Sequence, residues 1–397
     1  MVPKVQDSPT GTNAAEAPDK IRLADAAYGI ESATDASKRH SVAVVDANAR
    51  HREEVSKALL SFYRVGGFAD ATNALTALSM AAPALVIVGE QVPPLSGIRF
   101  IKALRQVSVL SHTAILYVAD RPDLKSIGGA RAAGANDQLV KPYRRSALIK
   151  AVSARLNAAV ERKWDHLPAL PRHALKNTVE VFNNISDVIA SGDPLPYGMV
   201  SRACAPLVDA VNQNAFKAIL NGVRDHDNYS YAHSMRVATL LSLFGNAAGV
   251  KEDDQLVLAS GGLLHDAGKM SIPHDILNKP GRLDATEFAV MKSHVTQTAT
   301  FLRNASAIPK AVITIAEQHH EKLNGTGYPH GLKGSQLNEL ARMAAIVDVF
   351  SALTDRRVYK PPMEATAALD LMSEEMQEHL DQHFLKLFKE MLLDAVV

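Results

Sequence analysis

Three short runs decide the fold: SVAVVDAN (41–48), ALVIVGE (84–90) and AILYVAD (114–120). Both faces of each run are apolar, so each reads as a strand buried between helices. GANDQLVKPY (134–143) is another short strand, followed by Lys141-Pro142. Helical stretches lie between them at 51–62 and 97–106. Strand and helix alternating at this spacing predict a doubly wound parallel α/β sheet. Such sheets place their sites at the carboxyl ends of the strands, which here carry Asp46, Gly89, Ala119 and Lys141.

Outward from this block the texture changes. Residues 1–40 are rich in Ala, Asp, Ser, Thr and Pro, with no apolar stripe before Ile21. They read as a flexible tail with a short helix near 21–30. The whole chain has 397 residues, enough for two to three domains of about 100–200 residues. The net charge of +1 leaves no broad basic field to hold a nucleic acid polymer or an anionic membrane. One cysteine, Cys204, excludes an intramolecular disulfide and a thiolate zinc cluster. No apolar run reaches the roughly 18 residues of a membrane span, and the N-terminus lacks the apolar core of a signal peptide. A cytoplasmic protein is expected.

Residues 159–215 read as a helical joint. HALKNTVEVFNNISDVIASGDP (173–194) spaces Val179, Phe182, Ile185 and Ile189 three to four apart, an amphipathic helix ended by Gly192 and Pro194. Its apolar face has two available partners, a neighbouring domain or a second copy in a homodimer.

The remainder, 216–397, reads as all helical and is rich in histidine: eight of the 15 histidines fall between His226 and His330. His233 ends a core-facing stripe formed with Val237, Leu240, Leu241 and Phe244. His265-Asp266 closes a second helix, broken by Gly268 and followed by Lys269. Asp284 and Glu287 open a third as a capping box, and His294 follows ten residues after the cap. His319-His320 ends a fourth. Asp348 sits inside the apolar run of a fifth. A buried carboxylate without a partner costs several kcal/mol, and a metal removes that penalty. Seven nitrogen and oxygen donors exceed what one tetrahedral ion needs. Two divalent ions about 3.5–4 Å apart, sharing a carboxylate, fit the count. Without thiolates, iron, manganese and zinc are candidates, with mixed His/Asp ligation favouring iron or manganese.

The order of elements over 41–158 resembles the receiver domain of two-component response regulators. That family has an acidic pair after strand one, a phosphorylated Asp after strand three, a Ser/Thr after strand four and Lys-Pro after strand five. Here Asp46 keeps one acid and Ala47 replaces the other. Pro93 and Gly97 anchor the motif that puts Gly89 at the acceptor position. Ala119 replaces the hydroxyl residue, Gln138 replaces the aromatic switch, and only Lys141-Pro142 is intact. Glycine cannot form an acyl phosphate, so a degenerate receiver fold without phosphoryl transfer is expected. Glu90 reads as a solvated loop residue.

His265-Asp266-x-Gly268-Lys269 and His319-His320-Glu321-x-x-x-Gly325-x-Gly327-Tyr328-Pro329 resemble the HD-GYP family of cyclic di-GMP phosphodiesterases. The likeness covers 216–397. It implies metal ligands at His233, His265, Asp266, His294, His319, His320 and Asp348, with Asp266 bridging two ions. It implies substrate-phosphate contacts at Lys269, Arg357 and Lys360, with Asp266 and Lys269 catalytic. A hydroxide held between the ions would attack the phosphorus, while the basic residues neutralise the non-bridging oxygens. Tyr229 stands where some members place a third-metal Glu, so two metals are expected. Asn324, Ser351 and Val358 depart from the family pattern without removing a ligand. The Gly325–Pro329 loop reads as a turn shaping the site entrance. The resemblance adds a docking surface for GGDEF-domain diguanylate cyclases at Gly327, Tyr328 and Pro329. Two alternatives stay open beside the phosphodiesterase: a catalytically weak cyclic di-GMP sensor, and an HD phosphohydrolase of another nucleotide.

Overall fold

The computed structural model describes residues 40–60, 62–277, 279, 281–355 and 363–396. The expected tail at 1–40, with its short helix, lies outside the described residues except for His40.

The N-terminal part alternates strand and helix: β1 (Ser41–Val45), α1 (Ala49–Leu59), β2 (Arg64–Phe68), α2 (Ala71–Met80), β3 (Leu85–Gly89), a small ribbon of β4 (Gln91–Val92) and β5 (Leu95–Ser96), α3 (Gly97–Gln106), β6 (Ala114–Ala119), α4 (Leu124–Ala133), β7 (Asp137–Val140) and α5 (Arg145–Leu156). The five long strands form one parallel sheet in the order β2-β1-β3-β6-β7. Val42, Val44, Leu85, Ile87, Leu116 and Val118 face α1 and α5. Ala43, Val45, Val86, Val88, Ile115 and Tyr117 face α2, α3 and α4. Burial of both faces explains the unbroken apolar runs.

β2, the β4–β5 ribbon and helices α2, α4 and α5 are absent from the expectation. β2 is an edge strand with two glycines, and its side chains are exposed or half-buried. An edge strand needs no apolar run, so it leaves little trace in the sequence. The joint is more than a linker. It folds as α6 (Ala158–Trp164), α7 (Ala169–Ser191) and α8 (Tyr197–Asn212). Phe182 and Ile185 on α7 are buried, and Val179 and Ile189 pack beside them, so this amphipathic face is used within the chain. Gly192 ends α7 in the left-handed conformation, φ 71°, where glycine carries no Cβ penalty. Asp187 of α7 accepts from the Ser146 amide at 2.5 Å, capping α5 of the sheet domain.

The C-terminal part is helical: α9 (Phe216–Val223), α10 (Tyr229–Ala247), α11 (Glu252–Leu264), the short α12 (His274–Leu277), α13 (Ala285–Arg303), α14 (Lys310–Gln318), α15 (Glu339–Thr354), α16 (Ala365–Glu375) and α17 (Gln382–Val396). Asp284 and Glu287 form the expected capping box of α13. α10 and α15 are buried nearly all round and form the middle of the bundle. Among the described residues, no helix is long and apolar enough to cross a membrane.

The strand ends of the sheet domain hold a closed polar network. Asp46 accepts from the Asn48 amide at 2.8 Å and pairs with His51 Nδ1 at 2.7 Å. His51 Nε2 meets the Tyr143 hydroxyl at 2.5 Å. Lys141 Nζ lies 3.4 Å from Asp46 and 2.9 Å from Asp120. Burial alone would raise the Asp46 pKa, but the His51 and Asn48 hydrogen bonds and the Lys141 charge outweigh it and hold it below the usual carboxylate value. A Cβ built on Gly89 would overlap the Asp46 carboxylate, so that carboxylate already fills the space beside the acceptor position. Glu90 is half-buried rather than simply solvated. It accepts from the Asp120 amide at 2.9 Å.

Gly89→Asp, which supplies the missing carboxylate, is therefore expected to destabilise the sheet domain by about 1–3 kcal/mol through overlap and like-charge contact. A thermal melt at or above the wild-type midpoint contradicts this. Because the folded-state pKa of Asp46 is depressed, its stabilisation is complete above the unfolded value near 3.8 and fades as pH falls through the folded value. The stability gap between wild type and Asp46→Asn should therefore narrow as acid is added below that value, as read by denaturant titration.

Candidate metal centre

Five elements deliver seven side chains to one buried place. His233 comes from near the N-terminus of α10, and His265 and Asp266 directly follow α11. His294 comes from α13, His319 and His320 from the end of α14, and Asp348 from the middle of α15. The residues group as Asp266, His294, His319 and His320 on one side, and His233, His265 and Asp348 on the other. Within each group the donor atoms lie within 4.8 Å of one another.

The helix backbone orients three of these imidazoles. His265 Nδ1 lies 2.8 Å from Gly262 O, His294 Nδ1 2.7 Å from Met291 O, and His319 Nδ1 2.8 Å from Ala316 O. A carbonyl can only accept, so Nδ1 carries the proton in each case. For His265 and His319 the acceptor is a carbonyl of the last helical turn, which lacks an intrahelical partner. Each Nε2 is then left with its lone pair aimed into the centre. These Nε2 atoms are buried without a hydrogen-bond partner among the described residues, as are both ring nitrogens of His320. Buried polar atoms are rarely left so. A cluster of lone pairs and carboxylate oxygens is what a cation satisfies.

The carboxylates lie between the two groups. Asp266 Oδ1 is 3.2 Å from His294 Nε2 and 3.9 Å from His319 Nε2, while its Oδ2 is 3.2 Å from His265 Nε2. Asp348 also straddles: Oδ1 is 3.1 Å from His233 Nε2, and Oδ2 is 3.9 Å from His320 Nδ1. Burial opposes the ionised Asp266, but the neighbouring His265, the Lys269 charge and the approach of His294 outweigh it and hold its pKa well below the usual value. Burial pushes the His319 pKa down to about 3, and the neighbouring His265 adds to the shift. It moves His320 well down too, with His319 adding to that shift. Both imidazoles are thus neutral at pH 7 and available as donors. His233 is the exception: burial lowers its pKa, but Asp348 and Asp355 on its two nitrogens raise it to about 9.

Lys269 stands at the mouth, 30% exposed, with Nζ 2.6 Å from Asp266. Arg357, Lys360 and Val358 lie outside the described residues. Gly268 follows the end of α11 without a positive φ. It is needed for contact: a Cβ there would overlap His294 O and the Thr298 backbone of α13. Tyr229 lays its ring against His233, centroids 6.0 Å apart. Asn324 Oδ1 accepts from Thr326 N and Oγ1 at 3.1 and 2.7 Å, so the amide shapes the loop. Ser351 is fully buried on α15.

Glu321 has a clear role in the loop that sequence reasoning did not assign. It is buried, and its carboxylate accepts from the amides of His330, Gly331 and Leu332 at 2.6, 3.1 and 3.0 Å. It therefore ties down the chain just beyond Pro329. Gly325 uses its freedom at φ 81°. Gly327 does not; a Cβ there would overlap the Glu321–Lys322 backbone. The Tyr328 ring is half-buried and lies over His320, centroids 4.8 Å apart, with Phe288 edge-on at 6.4 Å. It faces the centre, so the loop forms a wall of the site. Asp355 and Arg236 were also missed. Their only trace in the sequence is spacing: Asp355 is two turns after Asp348, and Arg236 is one turn after His233.

With this geometry in place, comparison with known proteins finds two families in the chain. Residues 217–384 match the HD domain family and residues 42–153 the response regulator receiver domain. A cyclic di-GMP phosphodiesterase of Pseudomonas aeruginosa is 38% identical over 189 residues, covering 46% of this chain and 45% of that protein. The 3′3′-cGAMP-specific phosphodiesterase 3 of Vibrio cholerae is 34% identical over 181 residues, covering 46% and 39%. The cyclic di-GMP phosphodiesterase response regulator RpfG of Xanthomonas campestris is 25% identical over 307 residues, covering 77% and 75%. The chain spans less than half the length of the first two. The chain is thus similar to the response regulator receiver family over residues 42–153 and to the HD domain family over residues 217–384.

Proposed function

We propose that the chain is a metal-dependent phosphodiesterase that hydrolyses cyclic di-GMP, governed by a receiver-like domain that takes no phosphoryl group. Its working parts are a receiver-like domain at 41–158, a helical joint at 159–215 and a phosphohydrolase domain at 216–397. The observation that carries this reading is the pair of His/Asp groups with Asp266 between them and its unpartnered ring nitrogens. Three relatives' names, two of them cyclic di-GMP phosphodiesterases, support the substrate class.

Asp266, His294, His319 and His320 would hold one divalent ion, and His233, His265 and Asp348 a second. An oxygen and imidazole donor set favours iron or manganese. When bound, the pair supplies positive charge for a phosphodiester and lowers the pKa of a water towards about 7. The protein's own part is orientation and charge. Backbone carbonyls hold three imidazoles in the donor tautomer, and Asp266 is fixed between the groups. Lys269 at the mouth, with Arg357 and Lys360, neutralises non-bridging oxygens as charge develops. Tyr328 and Phe288 narrow the entrance and limit water. Because Tyr328 is committed to His320, we assign Gly327, Tyr328 and Pro329 to the wall of the site in preference to a cyclase-docking surface.

A second reading keeps the chemistry and changes the base: several relatives are named for 3′3′-cGAMP. Full-length protein loaded with Mn(II) should cleave cyclic di-GMP faster than 3′3′-cGAMP. Asp266→Ala should reduce the rate on the order of 1,000-fold or more. Faster cleavage of 3′3′-cGAMP selects the second reading. Tight binding of nucleotide that stays intact for hours makes the protein a sensor.

For the receiver-like domain, incubation with acetyl phosphate is expected to leave the mass unchanged. A phosphate mapped by mass spectrometry to residues 85–97 would refute that expectation.

A further inference from the structure

His233 is oriented differently from its neighbours. His265, His294 and His319 take their tautomer from a backbone carbonyl three residues back. His233 Nδ1 instead meets a side chain, Asp355 Oδ2, at 2.9 Å. The other oxygen of Asp355 receives Arg236 NH1 at 2.6 Å, and Arg236 NH2 donates to Thr354 Oγ1 at 2.6 Å. The guanidinium also lies 5.8 Å from the Phe350 ring centroid. His233 and Arg236 are one turn apart on α10. Asp348 and Asp355 are two turns apart, one within α15 and one capping its C-terminus. The contact between these helices therefore builds a chain: Asp348, His233, Asp355, Arg236. Asp355 and His233 are 12% and 8% exposed at their side chains, so the link is shielded from water.

We propose that Asp355, held by Arg236, is the positioning residue for the His233/His265/Asp348 half of the centre. This inference rests on the two-ion reading above and assigns Asp355 a role in metal uptake rather than in contact with substrate. A carboxylate on the far nitrogen of an imidazole fixes the ring, keeps the proton on Nδ1 and makes Nε2 a stronger donor. Loss of such an outer partner typically weakens metal binding by about 10–100-fold. The effect is one-sided. In the other half His294 and His319 are oriented by backbone carbonyls and His320 packs against Tyr328, and the hydrogen bonds of Asp355 to described side chains go to His233 and Arg236 instead. An ordinary helix-to-helix ion pair would lower stability without changing the number of ions bound.

The test uses the full chain, stripped with chelator and titrated with Mn(II). Bound metal is read by atomic emission, and the electron paramagnetic resonance spectrum separates a coupled pair from an isolated ion. Wild type should take two ions per chain and give the coupled spectrum. Asp355→Ala should bind one ion about 100-fold more weakly or worse, so that at Mn(II) levels that just fill wild type it keeps one ion and gives the isolated spectrum. Asp355→Asn, which keeps an acceptor for Nδ1–H but lacks the charge, should still take two, with one bound about 10–100-fold more weakly. It decides the matter if the alanine variant does not fold. Two ions at wild-type affinity in a folded Asp355→Asn and a folded Asp355→Ala overturn the proposal. Wild type that takes up no ion overturns the two-ion reading itself, and that result comes before either variant is examined.

Discussion

Two carboxylates and five imidazoles buried together are the constraint that the helical domain is built to meet. Asp266 and Asp348 have side chains only 8% exposed. Each would cost several kcal/mol there without opposite charge. Histidine nitrogens, Lys269 and, in the proposed function, divalent cations supply that charge. Both carboxylates reach both histidine groups. The site is therefore a single electrostatic unit in which no member can be removed without exposing another to uncompensated burial.

Precision comes from using helix ends. The last turn of a helix has carbonyls to spare. Placing His265 and His319 immediately after α11 and α14 gives each carbonyl a donor and each imidazole a fixed tautomer. Close packing does the rest. Gly268 lets α13 approach the His265-Asp266 turn, and Gly327 lets its loop press on the Glu321 backbone. Glu321 then binds the following segment through three amides. The walls of the site are held by buried backbone hydrogen bonds, which keeps ligand geometry rigid without ligands having to hold one another.

The sheet domain handles its buried charge differently. Its strand ends still gather acids and a lysine, but Asp46 has closed with His51, Asn48 and Lys141 over the glycine that stands at the acceptor position. Charge is neutralised internally. Tyr143 extends that network towards α5, and Asp187 of α7 caps the same helix. The apolar face of the sheet turned towards α1 and α5 belongs to the same core as the helical bundle. The two domains thus share packing rather than a free linker.

The strongest features were legible in the sequence because they depend on local pattern. Buried parallel strands must be apolar on both faces, so β1, β3 and β6 stood out. Histidines at helix ends and an Asp inside Ala-Ala-Ile-Val-Asp-Val-Phe conflict with simple burial, which marked the seven residues as chemical. The glycine at 89 removes a carboxylate outright. Edge strand β2 was hidden, since an exposed edge carries no apolar signal, and α2 buries mostly alanine, which marks no stripe. The long-range pairings were hidden too. The role of Glu321 was hidden as well, because its three acceptor bonds go to a turn whose shape is not encoded locally. Asp355 and Arg236 resemble any surface ion pair until α10 and α15 are packed side by side. Tyr328 could be read as an outward anchor until the loop was seen to fold over His320. Composition and periodicity thus set which elements form and which side chains are anomalous. Only tertiary packing set which nitrogen faces which oxygen, because those choices depend on distances between separate helices, up to 122 residues apart for His233 and Asp355.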